Sequence, residues 1–247
     1  MIFNTNGGNK LHKLFLDDKF ISGSQIEICD ETFRHVKALR LNIGDKIIIG
    51  DKNLNDYYCT IKEISKNSAK LFVNEIKKSQ NESPKKIVLF QALTKADKFE
   101  FVIQKSVELG VNKIIPIVCD YCDKKNSPTI NKLMRWGKIS QSAAEQSGRG
   151  IIPEILEAID FKNAVAISKN LQSNFIAHEK SNFSIKNCQL NKDSIGIFIG
   201  PEGGFSESEI NFALNNNIIS VSLGKRILRT ETAALFILSL LVFENEL

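Results

Sequence analysis

Two polar segments near the end of the chain combine residue types that could bind a ligand and stabilise charge. The first, residues 200–209, reads Gly-Pro-Glu-Gly-Gly-Phe-Ser-Glu-Ser-Glu and follows the apolar run 195–199. The second, residues 223–234, reads Leu-Gly-Lys-Arg-Ile-Leu-Arg-Thr-Glu-Thr-Ala-Ala and follows the short apolar run 218–223. Both patterns are typical of a strand that leads into a helix, where glycine lets the backbone approach a ligand and free N–H groups can bind it. Two such junctions so close in sequence predict one composite pocket.

Helix initiation alone would explain part of each segment. Ser206 and Glu209 fit the capping box that starts many helices, and Thr230 with Glu231 could cap and charge-match the last helix. Capping does not explain the glycines of the first segment or the three cations that precede the last helix. We therefore favour a functional interpretation of the pair.

Several other kinds of site are disfavoured by the sequence. There is no G-x-G-x-x-G and no G-x-x-x-x-G-K-[ST], which argues against a Rossmann-type site, including that of a Rossmann methyltransferase, and against a P-loop. Cys119 and Cys122 form a CxxC, but no second cysteine pair or paired histidines complete a zinc site. Free thiols are favoured over metal or redox use, and we predict no metal.

Composition and charge indicate a globular protein that could bind nucleic acid. The chain is 43% hydrophobic and 25% charged. Its longest apolar stretch, 233–243, is shorter than the about 20 residues of a membrane span. The first residues of the chain are polar and do not look like a signal peptide. We therefore expect a cytoplasmic protein without membrane contact.

Residues 83–155 carry 12 Lys and Arg against 7 Asp and Glu. This excess suits a nucleic-acid partner, although lysines on solvated helix faces would give the same count.

The elements that must position these residues fall into two regions. Residues 1–73 show short alternating strands, turn signals and one helical stretch at 31–41, which is typical of a small β-barrel. Residues 74–84 are polar and end in proline, which indicates a linker. From 85 to 247, strands alternate with helices, and this predicts an α/β domain with a mainly parallel sheet.

Five segments in order along the chain resemble the RsmE family of SPOUT methyltransferases. They are His35-Val36-Lys37-Ala38-Leu39-Arg40 with Gly44-Asp45, Gln91-Ala92-Leu93-Thr94-Lys95, Gln104-Lys105-Ser106-Val107-Glu108-Leu109-Gly110-Val111, Ala143-Ala144-Glu145-Gln146-Ser147-Gly148-Arg149, and the pair of polar segments. The resemblance implies S-adenosylmethionine-dependent methylation of N3 of a uridine in 16S ribosomal RNA. It also implies a PUA-like RNA-binding barrel followed by a SPOUT domain with a trefoil knot, a rare exception to unknotted folds.

The resemblance further implies a cofactor pocket built from the two polar segments and one strand end. Its S-adenosylmethionine-binding residues would be Ala177, His178, Glu179, Ile199, Gly200, Gly203, Gly204, Leu223, Gly224, Ile227, Leu228 and Ala233. The same resemblance gives a set of residues that face the substrate RNA, namely Lys13, Arg40, Lys95, Gln146 and Arg149.

Methylation at N3 of uracil sets requirements for catalytic residues. The base must be unpaired, its N3 proton must leave, and negative charge that spreads over the ring must be stabilised. Arg229 and Arg226 are candidates for that stabilisation, and Glu231 or Glu202 for accepting the proton. Ion pairing of the two arginines with the two glutamates is the structural alternative.

Two positions depart from the family pattern. Lys13 stands where the family usually has an arginine, so a bidentate contact there becomes a point charge. The segment 119–122 replaces one that usually contains serine and arginine, which leaves open whether Tyr121 stacks on a base.

The last helix bears on the oligomeric state. Residues 233–243 are apolar on every face, whereas a helix packed on one sheet needs an apolar stripe of only about 100°. SPOUT relatives are homodimers, so the resemblance implies a homodimer through this helix, with 16S ribosomal RNA in the assembled small subunit as partner. The alternatives are a SPOUT methyltransferase for another ribosomal or transfer RNA nucleotide, and a catalytically silent RNA-binding relative.

Overall fold

The computed structural model describes residues 11–16, 21–123 and 128–247. They divide into two compact units, each with its own hydrophobic core. The first unit takes in the described residues up to Glu82 together with Ala144–Ile152, and the second takes in the described residues of Ser83–Ala143 and Pro153–Leu247. The sequence predicted domains at 1–73 and 85–247, and that contiguous division did not anticipate that 144–152 would group with the first unit.

The first unit contains a mixed six-stranded sheet in the order β1-β4-β5-β6-β3-β2. Its elements are β1 (His12–Phe15), β2 (Ile21–Ser22), β3 (Gln25–Cys29), α1 (Asp30–Ala38), β4 (Lys46–Gly50), β5 (Asn55–Ile64) and β6 (Ser68–Lys78). Strand β1 runs parallel to β4, and the remaining pairs are antiparallel. Alternate residues of β3, Ile26 and Ile28, are buried with Phe33 and Val36 of α1 in one core. The described residues show no pairing of β1 with β2 that would close the predicted barrel.

Strand β6 is longer than its apolar pattern predicted. We expected a strand at 69–73 and a linker from residue 74, whereas the strand continues to Lys78 and pairs there with the start of β5. Residues 74–78 are exposed, so the ladder to β5 holds this part of the strand without burial. A hydrophobicity pattern carries no signal for such a segment, and the predicted start of the linker is corrected accordingly.

The second unit confirms the predicted α/β class, with a sheet in which every pair is parallel. The strand order is β10-β8-β7-β12-β11-β13, and β9 pairs with β8. The strands are β7 (Lys86–Ala92), β8 (Lys113–Val118), β9 (Glu154–Ile155), β10 (Ile159–Asp160), β11 (Ser173–Ala177), β12 (Ser194–Ile199) and β13 (Ile219–Val221). The helices are α2 (Ala96–Glu108), α3 (Ile130–Ser147), α4 (Phe161–Ser168), α5 (Glu207–Asn215) and α6 (Thr230–Glu246). The trefoil knot implied by the resemblance stays a prediction.

The central strands β7 and β12 are buried on both faces. Phe90 of β7 and Phe198 of β12 are fully buried and stack with their ring centroids 4.3 Å apart. Phe161 of α4 packs edge-on against Phe198 from one side of the sheet. Strands buried in this way read as continuous apolar runs, which is why both were recognisable in the sequence. Their shared core fixes the sheet edge at which the polar segments begin.

Helix α6 buries only one stripe of its apolar surface within the chain. Its buried residues are Thr230, Ala233, Ala234, Ile237, Leu238 and Leu241. On the remaining surface Phe236 is partly exposed and Phe243 is 68% exposed. In the part of the chain that the structure describes, no helix is long and apolar enough to cross a membrane.

Candidate functional site

A cavity of about 640 Å³ lies where three neighbouring parallel strands end. Strand β12 leads into Gly200, β11 into His178 and β13 into Ser222, and these strands are adjacent in the sheet. Because parallel strands end at the same edge of a sheet, the loops after them converge there. Both polar segments therefore meet at one site, as their proximity in sequence predicted.

The residues that line the cavity include every position predicted to bind the cofactor. These are Ala177, His178, Glu179, Ile199, Gly200, Gly203, Gly204, Leu223, Gly224, Ile227, Leu228 and Ala233. Pro201, within the first polar segment, lines it too, as do Lys98 and Ser222, which lie outside both segments. Lys98 lies in the first turns of α2 and carried no signal of its own, because a lysine on an amphipathic helix is ordinary.

The loop after β12 needs glycine at specific positions. The N–H of Gly204 donates to the carbonyl of Pro201 at 3.0 Å, and Gly204 adopts φ 73°, a conformation that side chains disfavour. A Cβ on Gly200 would lie 3.2 Å from the Gly204 backbone. A Cβ on Gly203 would lie 3.2 Å from Cβ of Tyr121. A side chain at Gly200 or Gly203 would therefore displace its neighbours, and one at Gly204 would strain the backbone, and all three glycines line the cavity.

Helix α5 starts directly after this loop with the predicted capping box. The Ser206 hydroxyl accepts the N–H of Glu209 at 3.2 Å, and the Glu209 carboxylate accepts the N–H of Ser206 at 2.9 Å. Two N–H groups that have no helical partner are satisfied in this way. The cap fixes the end of the glycine loop.

Thr230 links the two polar segments. Its hydroxyl donates to the carbonyl of Gly200 at 2.6 Å and accepts the side-chain amide of Gln91 at 3.0 Å. Thr230 and Gln91 are both buried. The alternative in which Thr230 caps α6 does not hold, because Arg229 is the N-cap residue of α6 and the helix has no side-chain cap. Gln91 lies in one of the segments that resemble the family and was given no role of its own. A glutamine inside the apolar strand β7 is nevertheless a signal of a buried polar network.

The structure places Arg226, Arg229 and Glu202 at the cavity but not Glu231. Arg226 and Arg229 line the cavity and are exposed. Glu202 also lines it and pairs with Lys98 at 3.0 Å, which differs from the alternative in which it would pair with an arginine. Glu231 is absent from the lining, because successive helix residues point about 100° apart and Thr230 already faces the cavity.

Two of the predicted RNA-facing residues are buried in the first unit. Lys13 is 6% exposed, and its Nζ lies 2.5 Å from Oδ1 of Asp56. Burial lowers the pKa of Lys13, and the hydrogen bond and charge of Asp56 oppose that shift. The predicted RNA contact at Lys13 is therefore corrected to an internal ion pair.

Arg149, like Lys13, is buried and forms an ion pair inside the first unit. It is 2% exposed and binds the carboxylate of Glu82 through Nε and Nη2. The same carboxylate accepts the N–H of Gly150 at 2.7 Å. This arrangement holds residues 144–152 to the end of the segment that follows β6, so the predicted contact of Arg149 with RNA is corrected to a structural role.

The other three predicted RNA-facing residues are exposed. Arg40 follows α1 with φ 55°, Lys95 precedes α2 as its N-cap residue, and Gln146 lies near the end of α3. These three side chains remain available for the predicted contact.

Comparisons with known proteins agree with the two regions of the fold. A family model described as an RNA methyltransferase domain matches residues 81–242. A second model, described as an RNA methyltransferase PUA domain, matches residues 28–73. Together they cover most of the chain, including the whole second sheet, whereas β1 and β2 of the first sheet lie outside the matched residues.

Curated relatives and solved structures match over nearly the full length. The chain is 38% identical to ribosomal RNA small subunit methyltransferase E of Mesomycoplasma hyopneumoniae, over 84% of this chain and 89% of the relative. It is 33% identical to the protein of that name in Bacillus subtilis, over 88% and 89%. The crystal structure of the Neisseria gonorrhoeae protein of that name, bound to S-adenosylmethionine, superimposes with a TM-score of 0.87 at 30% identity and covers 95% of this chain and 98% of that one.

Proposed function

This chain belongs to the ribosomal RNA small subunit methyltransferase E family, and on that premise we propose that it methylates N3 of a uridine in 16S ribosomal RNA with S-adenosylmethionine. The observation that carries the proposal is the cavity at the ends of β11, β12 and β13, whose lining contains all the residues predicted to bind the cofactor. Its position follows the rule for ligand sites in open parallel sheets.

The residues present fit the cofactor. A cavity of about 640 Å³ is within the usual range for small-molecule sites. Ile199, Leu223 and Leu228 offer apolar walls for the adenine, and the Glu179 carboxylate can accept hydrogen bonds from ribose hydroxyls. The glycine loop after β12 brings its main chain to the same space. When bound, S-adenosylmethionine supplies an electrophilic methyl group on a sulfonium.

The chain's own residues would position the uracil and stabilise its charge. Arg226 and Arg229 line the cavity and have no ion-pair partner among the described residues. We propose that they stabilise the negative charge that develops on the uracil oxygens as N3 loses its proton. We propose Glu202 in preference to Glu231 as the proton acceptor, because Glu202 lines the cavity and Glu231 does not.

Substrate RNA would contact exposed residues of both units. We propose Arg40 and Gln146 of the first unit and Lys95 of the second. Exposed lysine and arginine gain affinity for phosphates through counterion release. Tyr121 is exposed next to Gly203 and could stack on a base, which a Tyr121→Leu variant would test.

We further propose the remaining context from the family. A second copy would cover the exposed apolar surface of α6, including Phe236 and Phe243. The SPOUT domain would carry the trefoil knot, the substrate would be the assembled small subunit, and the protein would act in the cytoplasm.

Mass spectrometry of 16S RNA from cells with and without this protein tests the proposal. We expect one N3-methyluridine to be present only when the protein is present. A different methylated nucleotide would favour the alternative of another RNA target. If calorimetry with the purified protein shows no S-adenosylmethionine binding and the RNA is unchanged, the silent RNA-binding alternative is correct.

A further inference from the structure

Cys119 and Cys122 lie in a tight turn directly after β8. The N–H of Cys122 donates to the carbonyl of Cys119 at 3.0 Å, and the N–H of Cys119 donates to Sγ of Cys122 at 3.3 Å. A turn closed in this way keeps its end Cα atoms within about 7 Å, and disulfides span Cα distances of about 4.4 to 6.8 Å. The two cysteines therefore need only a small local change to form a bond.

The two thiols are unequal. A hydrogen bond from the Cys119 side chain, supported by backbone hydrogen bonds, lowers the pKa of Cys122 to about 7. The same bond and burial raise the pKa of Cys119. Cys122 is partly exposed, whereas Cys119 is buried. Cys122 is thus the thiol that ionises more readily near neutral pH and that solvent can reach, and Cys119 is the buried thiol held beside it.

The turn is attached to the glycine loop of the cavity. The N–H of Asp120 donates to the Glu209 carboxylate at 2.9 Å, and the Ser206 hydroxyl donates to the Asp120 carboxylate at 2.5 Å. Glu209 and Ser206 form the capping box that ends this loop. Tyr121, between the two cysteines, packs beside Gly203. Any rearrangement of the turn must move groups that hold the loop in place.

We propose that Cys119 and Cys122 form a reversible redox-modification site that responds to hydrogen peroxide and, when oxidised, loosens the glycine loop. The Cys122 thiolate attacks a peroxide oxygen, the O–O bond breaks, and the hydroxide released takes up a proton to become water. The sulfur of Cys119 then attacks the sulfenic acid of Cys122, the S–O bond breaks, and the thiol proton of Cys119 leaves with the hydroxide as a second water. The two thiols together supply the two electrons, and a dithiol reductant restores them by thiol–disulfide exchange, in which the reductant becomes a disulfide.

The other cysteines provide internal controls. Cys29 is exposed, but its hydrogen bond to Asp30 raises its pKa. Burial raises the pKa of Cys59 to about 12 and also raises the pKa of Cys188. None of these three should compete with Cys122 for peroxide near neutral pH.

Peptide mass spectrometry of the purified full chain tests the modification directly. The protein is treated briefly with hydrogen peroxide, and the remaining thiols are then alkylated. We expect a disulfide between Cys119 and Cys122, whereas Cys29 should be recovered in its alkylated form because it was not oxidised. Without peroxide, Cys122 should react with iodoacetamide at least about tenfold faster than Cys29 at pH 7. Equal rates, or oxidation at Cys29 first, would overturn the proposal.

The effect on the loop is tested separately and rests on the proposed function. We expect oxidised wild type to bind S-adenosylmethionine at least about fivefold more weakly than reduced wild type, with dithiothreitol restoring the affinity. Cys119→Ser and Cys122→Ser should bind alike before and after peroxide. A disulfide that leaves the affinity unchanged overturns the coupling, whereas absence of binding in the reduced protein contradicts the proposed function and leaves the disulfide result standing.

Discussion

The hydroxyl of Thr230 donates a 2.6 Å hydrogen bond to the carbonyl of Gly200, so the first turn of α6 is tied to the loop after β12. Gln91 completes the network from β7, the strand that pairs with β12. One buried hydroxyl therefore holds together the two polar segments that line the cavity. Its effect on binding can be separated from its effect on folding.

Thr230→Val removes this hydroxyl and keeps the shape of the side chain. The Gly200 carbonyl loses its partner and Gln91 loses one acceptor, so we expect a loss of about 1–3 kcal/mol in the free energy of unfolding and weaker cofactor binding. Urea unfolding and calorimetry measure the two effects. Thr230→Ser keeps the hydroxyl and should retain most of the affinity; if it is as impaired as Thr230→Val, the hydrogen bond is not the cause.

Gly204→Ala places a side chain where the backbone has φ 73°. We expect a cost of about 1–2 kcal/mol for that conformation and loss of S-adenosylmethionine binding as the loop rearranges. Gly137→Ala is a matched control, since a Cβ there meets nothing within 4 Å and its backbone is helical. Calorimetry that shows normal binding by the Gly204 variant would falsify the assignment of this loop to the cofactor.

Gly203→Val should also abolish binding, but for a reason that the sequence did not reveal. A Cβ at this position would lie 3.2 Å from Cβ of Tyr121, so a larger side chain must displace Tyr121 or the loop. The combination Gly203→Ala with Tyr121→Gly removes that contact. We expect it to bind the cofactor better than Gly203→Ala alone, as measured by calorimetry; equal affinities would mean that the contact is unimportant.

Arg40→Gly should change stability and RNA binding in opposite directions. Arg40 adopts φ 55°, which is unfavourable for arginine and free for glycine, so unfolding should cost up to about 1 kcal/mol more. Loss of the exposed cation should weaken RNA binding and lower its dependence on salt. Thermal unfolding and filter binding at several salt concentrations check both, and unchanged RNA affinity would remove Arg40 from the proposed surface.

Arg149→Met should lower the stability of the protein, whereas Lys95→Glu should weaken its binding to RNA. Arg149→Met leaves the carboxylate of Glu82 without its cation and should destabilise the first unit by about 3–5 kcal/mol. Lys95→Glu should leave the unfolding midpoint unchanged and weaken RNA binding. Urea unfolding of both variants and salt-dependent RNA binding by Lys95→Glu test this contrast; a stable Arg149→Met protein with weakened RNA binding would restore the contact that we corrected.

Phe243→Glu should split the proposed dimer without unfolding the chain. Phe243 is 68% exposed, whereas Leu241 is 1% exposed within the chain's own core. Leu241→Glu would therefore bury an unpaired charge and unfold the protein, so it serves as the contrasting variant. Sedimentation at micromolar concentration should give two chains for wild type and one for Phe243→Glu. A single chain for wild type would refute the dimer.

The sequence predicted the site well where residues suited to ligand binding directly follow a recognisable apolar strand. The glycines of both polar segments and the apolar runs before them predicted that the two segments meet in one pocket, whereas the individual lining residues, including Ala177, His178 and Glu179, were implied by the family resemblance. The burial of Lys13 and Arg149 was not foreseeable, because their partners Asp56 and Glu82 lie far away in sequence. A cation that is internally paired looks the same in a sequence as one that faces RNA, and only the three-dimensional contacts distinguish them.

The grouping of residues 144–152 with the first unit has a consequence for the newly synthesised chain. When Glu82 leaves the ribosome, Arg149 and Gly150, which bind its carboxylate, have not yet been made. At about 5–20 residues per second, the intervening residues 83–143 take roughly 3 to 12 seconds to synthesise. During that interval the Glu82 carboxylate lacks the hydrogen bonds that Arg149 and Gly150 later donate to it. The first unit thus receives its last residue, Ile152, only after Ser83–Ala143 of the second unit have been made, and the second unit then still lacks Pro153–Leu247.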